Sequence, residues 1–381
     1  MPSVNIDLST RILDDDMSVQ LIHPGARYAF FDDVLNGGVL PVDVPYLQVA
    51  DGRNLPAADD IAPMLERARL LRKWAKRPLS EANTIRPSLD IDQYRVGLNM
   101  DPAAQGVRTR LRNAANDILW GLPEGTLAVI PSRRLGGNAI LAEFGSPTEP
   151  RQIVNGTGHY FSLQFSARPM VNIKSIPMTS LPGEVLKNAR STSVVNEVGG
   201  YAEDEVLRLY YGDYMRKHEY VVGVVAETDD FDALVMGQMI DLHIALDHFI
   251  RTGVVLAPGR GLYDRNVMET PNLHAAINSP DGRASLESSG IATFCVKLLM
   301  ILAASGVLVH GGGPLIAQGA LEVANSAQQD VEPALLEASA NALTGFFATA
   351  GIPVYSEYIE ALQNGLERNQ TTPTGTATIQ P

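Results

Sequence analysis

GTLAVIPSRRLGGNAILAEFGSP, residues 125–147, decides the fold class of the first half of this chain. Two apolar runs, LAVI (127–130) and AILAEF (139–144), flank a turn containing Gly136, Gly137 and Asn138. Apolar runs bounded by turn-tolerant residues predict an antiparallel strand pair. Downstream, HYFSLQFSARPMVNIKSIPM (159–178) adds alternating strand residues, and TSLPGEVLKNARS (179–191) closes the stretch with a helix-like turn. Several short strands in a row predict a small barrel or strongly bent sheet.

Upstream of this stretch, VQLI (19–22) reads as a strand. In YAFFDDVLNGG (28–38), Phe30, Phe31, Val34 and Leu35 recur at helical spacing until Gly37 and Gly38 stop the helix. VLPVDVPYLQV (39–49) reads as a strand. Residues 59–77 form an amphipathic helix with a basic outer face, ended with the help of Pro78. Residues 79–105 are irregular and polar, and 106–122 is a second helix carrying Leu111, Ala115, Ile118 and Leu119 on one stripe.

The second half reads differently. EDEVLRLYYGDYMRK (203–217) predicts a helix, EYVVGVVAE (219–227) a strand, and FDALVMGQMIDLHIALDHFIRTG (231–253) a long helix. Residues 255–289 read as loop-rich. IATFCVKLLMILAASGVLV (291–309) and ANALTGFFATAGIPVY (340–355) are apolar segments separated by a helical stretch. The tail NQTTPTGTATIQP (369–381) is polar and predicts disorder. The expected fold is α+β: a small bent-sheet or barrel domain with flanking helices over 1–190, an acidic, mainly helical assembly or effector domain over 200–365, and a disordered tail over 366–381.

Length and charge support two domains. A chain of 381 residues exceeds one ordinary domain. Residues 1–190 hold 21 Lys and Arg against 20 Asp and Glu, whereas 191–381 hold 9 against 23. This break predicts a boundary near 190–215 and makes the first half the better partner for a polyanion. Its cations cluster: ERARLLRKWAKR places Arg67, Arg69, Arg72, Lys73, Lys76 and Arg77 within about three helical turns, and RTRLR adds Arg108, Arg110 and Arg112. These are candidate nucleic-acid contacts, with a solvated helix face as the competing explanation. The single cysteine, Cys295, excludes an internal disulfide and fits a reducing compartment. The opening MPSVNIDLSTRILDDDMSVQ has acids where a signal peptide needs a basic region, which predicts a cytoplasmic protein.

Catalytic patterns are weak. SGVLVHGGGPLI (305–316) resembles one phosphate-binding loop of acetylglutamate kinases, but only 68 residues follow Gly313, no lysine-bearing glycine turn lies suitably upstream, and no G-x-x-x-x-G-K-[ST] occurs. HGGG also marks a lipase oxyanion loop, yet G-x-S-x-G is absent. A glycine-rich turn between apolar segments remains. In the long helix, His243 and Asp247 lie four apart and Asp241 and His248 seven apart, giving two metal donors on any face, too few for a site without help from elsewhere. Cys295 sits in an apolar run and reads as an inert buried thiol. The segment 291–309 is near membrane-spanning length but contains Lys297, and its small residues fit a buried helix. No catalytic residue, metal or cofactor is expected, so an enzyme is the weaker reading.

Three pieces of the first half resemble, in order, the N-terminal module attached to Mrr-type restriction enzymes and related prokaryotic defence proteins. SVQLIHPGARYAFFDDVLNGGVLPVDVP (18–45) is similar to its strand, PG turn, aromatic helix and strand. GVRTRLRNAANDILWGLPEGTLAVIP (106–131) is similar to its central helix and G-D-L-V-V-x-P strand, with Thr126 in place of the usual acid. AILAEF and then ARPMVNIKSIPMTSLP (167–182) are similar to its next strands. The resemblance covers about residues 18–187. It implies a bent-sheet recognition module with Arg27, Tyr28, Trp120 and Arg168 lining a ligand pocket. It also implies a sensor or adaptor subunit of an antiphage system that meets a nucleic acid or nucleotide and a partner protein and forms an oligomer. The nuclease half of such enzymes has no counterpart here: AETDDFD (226–232), with Glu227, Asp229, Asp230 and Asp232, lacks a following E-x-K and reads as an acidic helix start. Two rival readings remain, a structural protein of a phage virion and a membrane-perturbing effector.

Overall fold

A computed structural model describes residues 3–8, 11–25, 28–47, 58–77, 85–95, 102–133, 136–147, 152–156, 160, 162–189, 193–216, 219–225, 233–256, 272–276, 283–289, 291–308, 316–319, 321–324, 333–350, 359–360, 362–367 and 376–380. The chain divides into two compact units, one of Met17–Val206 and one that combines Met1–Asp16 with Leu207–Pro381. The first is thus inserted into the second. The boundary falls inside the expected 190–215 window, but the first sixteen residues belong to the acidic unit. Redrawn at this boundary, the inserted unit holds 20 basic and 20 acidic residues and the split unit 10 and 23, so the whole net charge of −13 belongs to the split unit.

In the split unit, β1 (Ser3–Asp7) is the central strand of a three-stranded sheet. It pairs in parallel with β14 (Leu321–Ala324) and antiparallel with β15 (Thr376–Gln380). The tail expected to be disordered therefore contributes a strand. β2 (Arg11–Ile12) runs parallel to β10 (Tyr214–Arg216), which continues antiparallel into β11 (Glu219–Val225), β13 (Arg283–Ser289) and β12 (Asn272–Ala276). Two sheets accompany the helices of this unit, and the stretch read as loop-rich supplies two of their strands. Their Ser, His and Asn content, as in RASLESS, hides them from an apolar-alternation test.

Three helices complete this unit: α6 (Ala233–Thr252), α7 (Ile291–Ala304) and α8 (Pro333–Ala350). Every residue of α7 from Ala292 to Ala303 is buried, as expected of a helix apolar on all sides. Its neighbours in the core include Val4 and Ile6 from β1 and Leu8 just after it, Leu242 and Leu246 from α6, and Phe346 from α8. Lys297 on α7 is fully buried and ion-paired with Asp213. Cys295 is buried too; burial pushes its thiol up, and its Sγ lies 3.7 Å from the Ser339 carbonyl, so it is inert as expected. Among the described residues no helix is long and apolar enough to cross a membrane. The glycine run at 311–313 and the acidic segment 226–232 lie outside the described residues.

The inserted unit carries a seven-stranded mixed sheet. β3 (Val19–Ile22) lies between β9 (Val195–Val198, antiparallel) and β5 (Leu127–Ile130, parallel). β5 and β6 (Asn138–Phe144) form the antiparallel pair expected from 125–147. β6 then pairs with the second half of the fourteen-residue β8 (Gln164–Pro177). The first half of β8 pairs with β4 (Val39–Pro41) along one edge and β7 (Gln152–Asn155) along the other. A bulge between Leu141 and Glu143 faces Asn172, whose φ is 53° and whose amide donates to the buried Glu143 carboxylate at 2.8 Å. Such a bulge bends its strand. The sheet does not close into the expected barrel: β9 is paired with β3 alone among the described strands.

Helices α1 (Phe31–Gly37), α2 (Ala58–Ala75), α3 (Pro102–Asn116), α4 (Gly183–Asn188) and α5 (Tyr201–Tyr211) accompany this sheet, the last crossing the boundary between units. α2 and α3 pack Ile61, Leu65, Ala68, Leu111 and Ala115 into one core with Ile22, Ile130 and Phe144. A separate aromatic group, Phe30, Tyr160 and Phe165, packs with Leu71 of α2.

Candidate functional site: an arginine and aromatic cluster on the inserted unit

The basic residues of α2 and α3 sort into two sets. Glu66 accepts from Arg69 at 2.6 Å and from Arg108 at 3.1 Å, tying α2 to α3. These hydrogen bonds, Arg69's first, hold the Glu66 carboxyl below the usual range. Arg72 pairs with Asp43 at 2.6 Å, and the same carboxylate oxygen accepts from the Tyr160 hydroxyl at 3.0 Å. Arg67 is buried and donates to the carbonyls of Leu89 (2.8 Å) and Tyr46 (2.5 Å). Arg69, Arg72 and Arg108 are therefore paired with carboxylates of this unit, and Arg67 with backbone carbonyls.

Lys73, Lys76, Arg110 and Arg112 are exposed, and Arg77 is half-buried. The three arginines of RTRLR do not share a face, because two residues along a helix turn the side chain by about 200°. Arg108 points inward, and Arg110 stands away from it. Lys73, near the end of α2, and Lys76, just after it, are exposed, and the half-buried Arg77 follows. Arg77 stacks on Trp74, its guanidinium carbon 3.9 Å from the ring centroid, and donates to the Trp74 carbonyl at 2.6 Å. Lys76 lies 6.0 Å from the Tyr160 ring centroid.

Arg86 joins this group from the segment 85–95. That segment is held by Arg67 at Leu89, by Tyr94 donating to the Ser88 carbonyl at 2.6 Å, and by a 3-10 turn, Ile91–Tyr94, capped by Asp90. The Arg86 guanidinium carbon lies 5.7 Å from the Trp74 ring centroid and 5.9 Å from that of Tyr46. It donates to the Tyr46 hydroxyl at 2.8 Å and the Ser162 carbonyl at 3.3 Å. Neither Arg86, Trp74 nor Tyr46 stands out in the sequence as a site residue. Arg86 lies in an irregular stretch with no periodicity, and Tyr46 falls within the strand read over 39–49 but beyond the observed one, since β4 ends at Pro41.

Of the pocket residues implied by the resemblance, Arg168 and Trp120 meet at one turn, and Tyr28 lies beside His23. Arg168 is 2% exposed on β8, donating to the carbonyls of Gly145 (2.8 Å), Leu122 (2.7 Å) and Ile118 (3.2 Å) while stacking on Phe144. Burial pulls its guanidinium down to about 10. It clamps the π-helical turn Asp117–Gly121 to the sheet, a structural task that a solvated strand-end charge would not perform. Trp120, on that turn, packs against the core of the unit. Tyr28 has φ 60° and donates to the Ala189 carbonyl at 3.3 Å, beside His23. Arg27 lies outside the described residues.

Among the described residues no group of three or more His, Cys, Asp or Glu side chains is placed to hold an ion. His243 Nε2 lies 3.0 Å from the Thr293 hydroxyl, Asp247 pairs with Arg251, and burial, with Arg251 adding, pulls the His243 imidazole down to about 4. The unfolded chain thus takes up this proton near pH 6.5 and the folded chain only near pH 4. Stability should fall as pH drops through that window, by on the order of 3 kcal/mol, and level off below it. Denaturant unfolding at pH 7.5 and 5 should show a smaller loss for His243→Gln than for the wild type.

No protein-family model, curated protein or solved structure matches this chain.

Proposed function

We propose that this chain is a sensor or adaptor subunit of a prokaryotic antiphage defence system, whose inserted unit recognises a nucleic acid or nucleotide and whose acidic unit meets a partner protein or further copies of the chain. The observation that carries the recognition step is the row Lys73, Lys76 and Arg77, set beside Trp74 and Arg86 in a unit that has no net charge of its own. Local cations attract phosphates, and rings stacked with guanidinium groups suit planar bases. The defence setting rests on the order of the three sequence pieces between residues 18 and 182.

Replacing Lys73, Lys76 and Arg77 together by Ala removes the solvent-facing charges and leaves the Arg69, Arg72 and Arg108 ion pairs intact. Single-stranded DNA binding should weaken more than tenfold at low salt, and the slope of log affinity against log salt should fall by about 2, at roughly 0.7 per phosphate released. Unchanged binding with an unchanged slope would contradict the assignment.

A further inference from the structure

Arg86 is a half-buried cation with no carboxylate partner among the described residues. Its two acceptors, the Tyr46 hydroxyl and the Ser162 carbonyl, are neutral, and its Nε is buried with no hydrogen-bond partner. Arg67, on the same tyrosine ring at 6.0 Å, is also buried, bonded only to carbonyls, and has an unpartnered Nε. Desolvation, the largest influence on Arg67, disfavours its charge. Two guanidinium groups are thus drawn out of water around one ring with no anion among the described residues, an arrangement that costs free energy unless an anion arrives. Every other inward arginine of α2 and α3 has a carboxylate: Asp43 for Arg72, Glu66 for Arg108.

The backbone around Arg86 is also shaped to present these groups. Tyr46 (φ 57°) and Ser162 (φ 67°) both occupy the left-handed region that bulky or branched chemistry rarely adopts, and the Tyr46 hydroxyl bonds the Ser162 carbonyl at 2.8 Å. Strain held in place at two contacting residues is a mark of built sites. Trp74 adds a second ring and Arg77 a second stacked guanidinium within the same group.

Resting on the nucleic-acid reading above, we propose that Arg86, held between Tyr46 and Trp74, is the phosphate receptor of this unit, and that its ligand is a nucleotide outside a duplex, in a single strand or free. A guanidinium offers forked donors to phosphate oxygens. The rings and guanidinium planes beside it can be reached only by a base that is not enclosed in a paired helix. Lys73 and Lys76 then track the neighbouring phosphates of a strand.

The full-length chain is titrated with a twelve-residue oligothymidylate, a twelve-base-pair duplex, thymidine 5′-monophosphate and inorganic phosphate. The single strand should bind at least tenfold more tightly than the duplex. Arg86→Gln should weaken single-strand binding about tenfold or more and lower the salt slope by about 0.7, whereas Arg86→Lys should keep the slope. Binding of the monophosphate that is lost in Arg86→Gln would make the free nucleotide sufficient; strand binding alone would assign the site to a strand. Should Arg86→Gln not fold, Trp120→Phe leaves Trp74 as the single tryptophan, and its emission should be quenched by oligothymidylate. Wild-type affinity and slope in folded Arg86→Gln, preference for the duplex, or an unquenched Trp74 at saturation would overturn the proposal. A wild-type chain that binds none of the nucleic acids at low salt would instead remove the recognition reading itself. Loss of binding in the Lys73, Lys76 and Arg77 triple variant alone, with Arg86→Gln unchanged, would leave that reading standing without this receptor.

Discussion

A chain lacking residues 1–16 should fail to fold its acidic unit. Those residues supply the central strand of one sheet and an edge strand of another, and they bury Val4, Ile6 and Leu8 almost completely. At roughly 1.5–3 kcal/mol for each buried side chain, before the lost ladder hydrogen bonds, the deletion removes about 5 kcal/mol or more, comparable with the whole stability of a domain. The truncated protein should be insoluble, or should show native-like thermal unfolding from the inserted unit alone. A truncated chain with a wild-type melt would mean that the strand pairing of Val4, Asn5 and Ile6 with Leu321, Glu322 and Val323 is dispensable.

Asp213→Ala should have the next largest effect, because it removes the carboxylate paired with the fully buried Lys297 ammonium. Breaking a buried pair from one side costs about 3–5 kcal/mol, whereas replacing both partners by apolar groups is often neutral. The single variant should lose cooperative unfolding at physiological temperature or melt far below the wild type, and Asp213→Ala combined with Lys297→Met should recover most of the loss. If the single variant melts as the wild type does, the pair does not hold the acidic unit's core. The ammonium would then be compensated elsewhere.

Much of the inserted unit is legible in the sequence because its signals are local. LAVI and AILAEF announce their pairing through composition and the glycines between them, and the stripe of Leu111, Ala115 and Ile118 announces the buried face of α3. The split unit is not legible in the same way. Nothing in SVNID says that it pairs with residues more than three hundred positions away, and TATIQ in a polar tail looks like the end of a disordered segment until that partner is known. RASLESS has too few apolar residues to alternate, and its pairing with EYVVGVV is what makes it a strand.

The candidate site was legible only as charge. A helical count finds Lys73, Lys76 and Arg77, but it finds Arg69, Arg72 and Arg108 with equal weight. Only Glu66 and Asp43, brought close by packing, separate the cations that hold the fold from those that face solvent. Arg168 misleads for a related reason: at the head of a strand it reads as exposed, and the three carbonyls it clamps come from residues 23 to 50 positions away. Arg86 and Tyr46 meet across 40 residues, a distance no local pattern spans.

The most direct test of recognition by the inserted unit is the affinity of the intact chain for single-stranded DNA across a salt series at neutral pH. With a net charge of −13, the chain should repel a polyanion unless a local cationic site overrides it. Saturable binding whose logarithm falls linearly with log salt, with a slope of about −2 or steeper, is the expected result. No saturable binding at the lowest salt, with the chain folded, would contradict it and would leave the inserted unit as a protein-binding module.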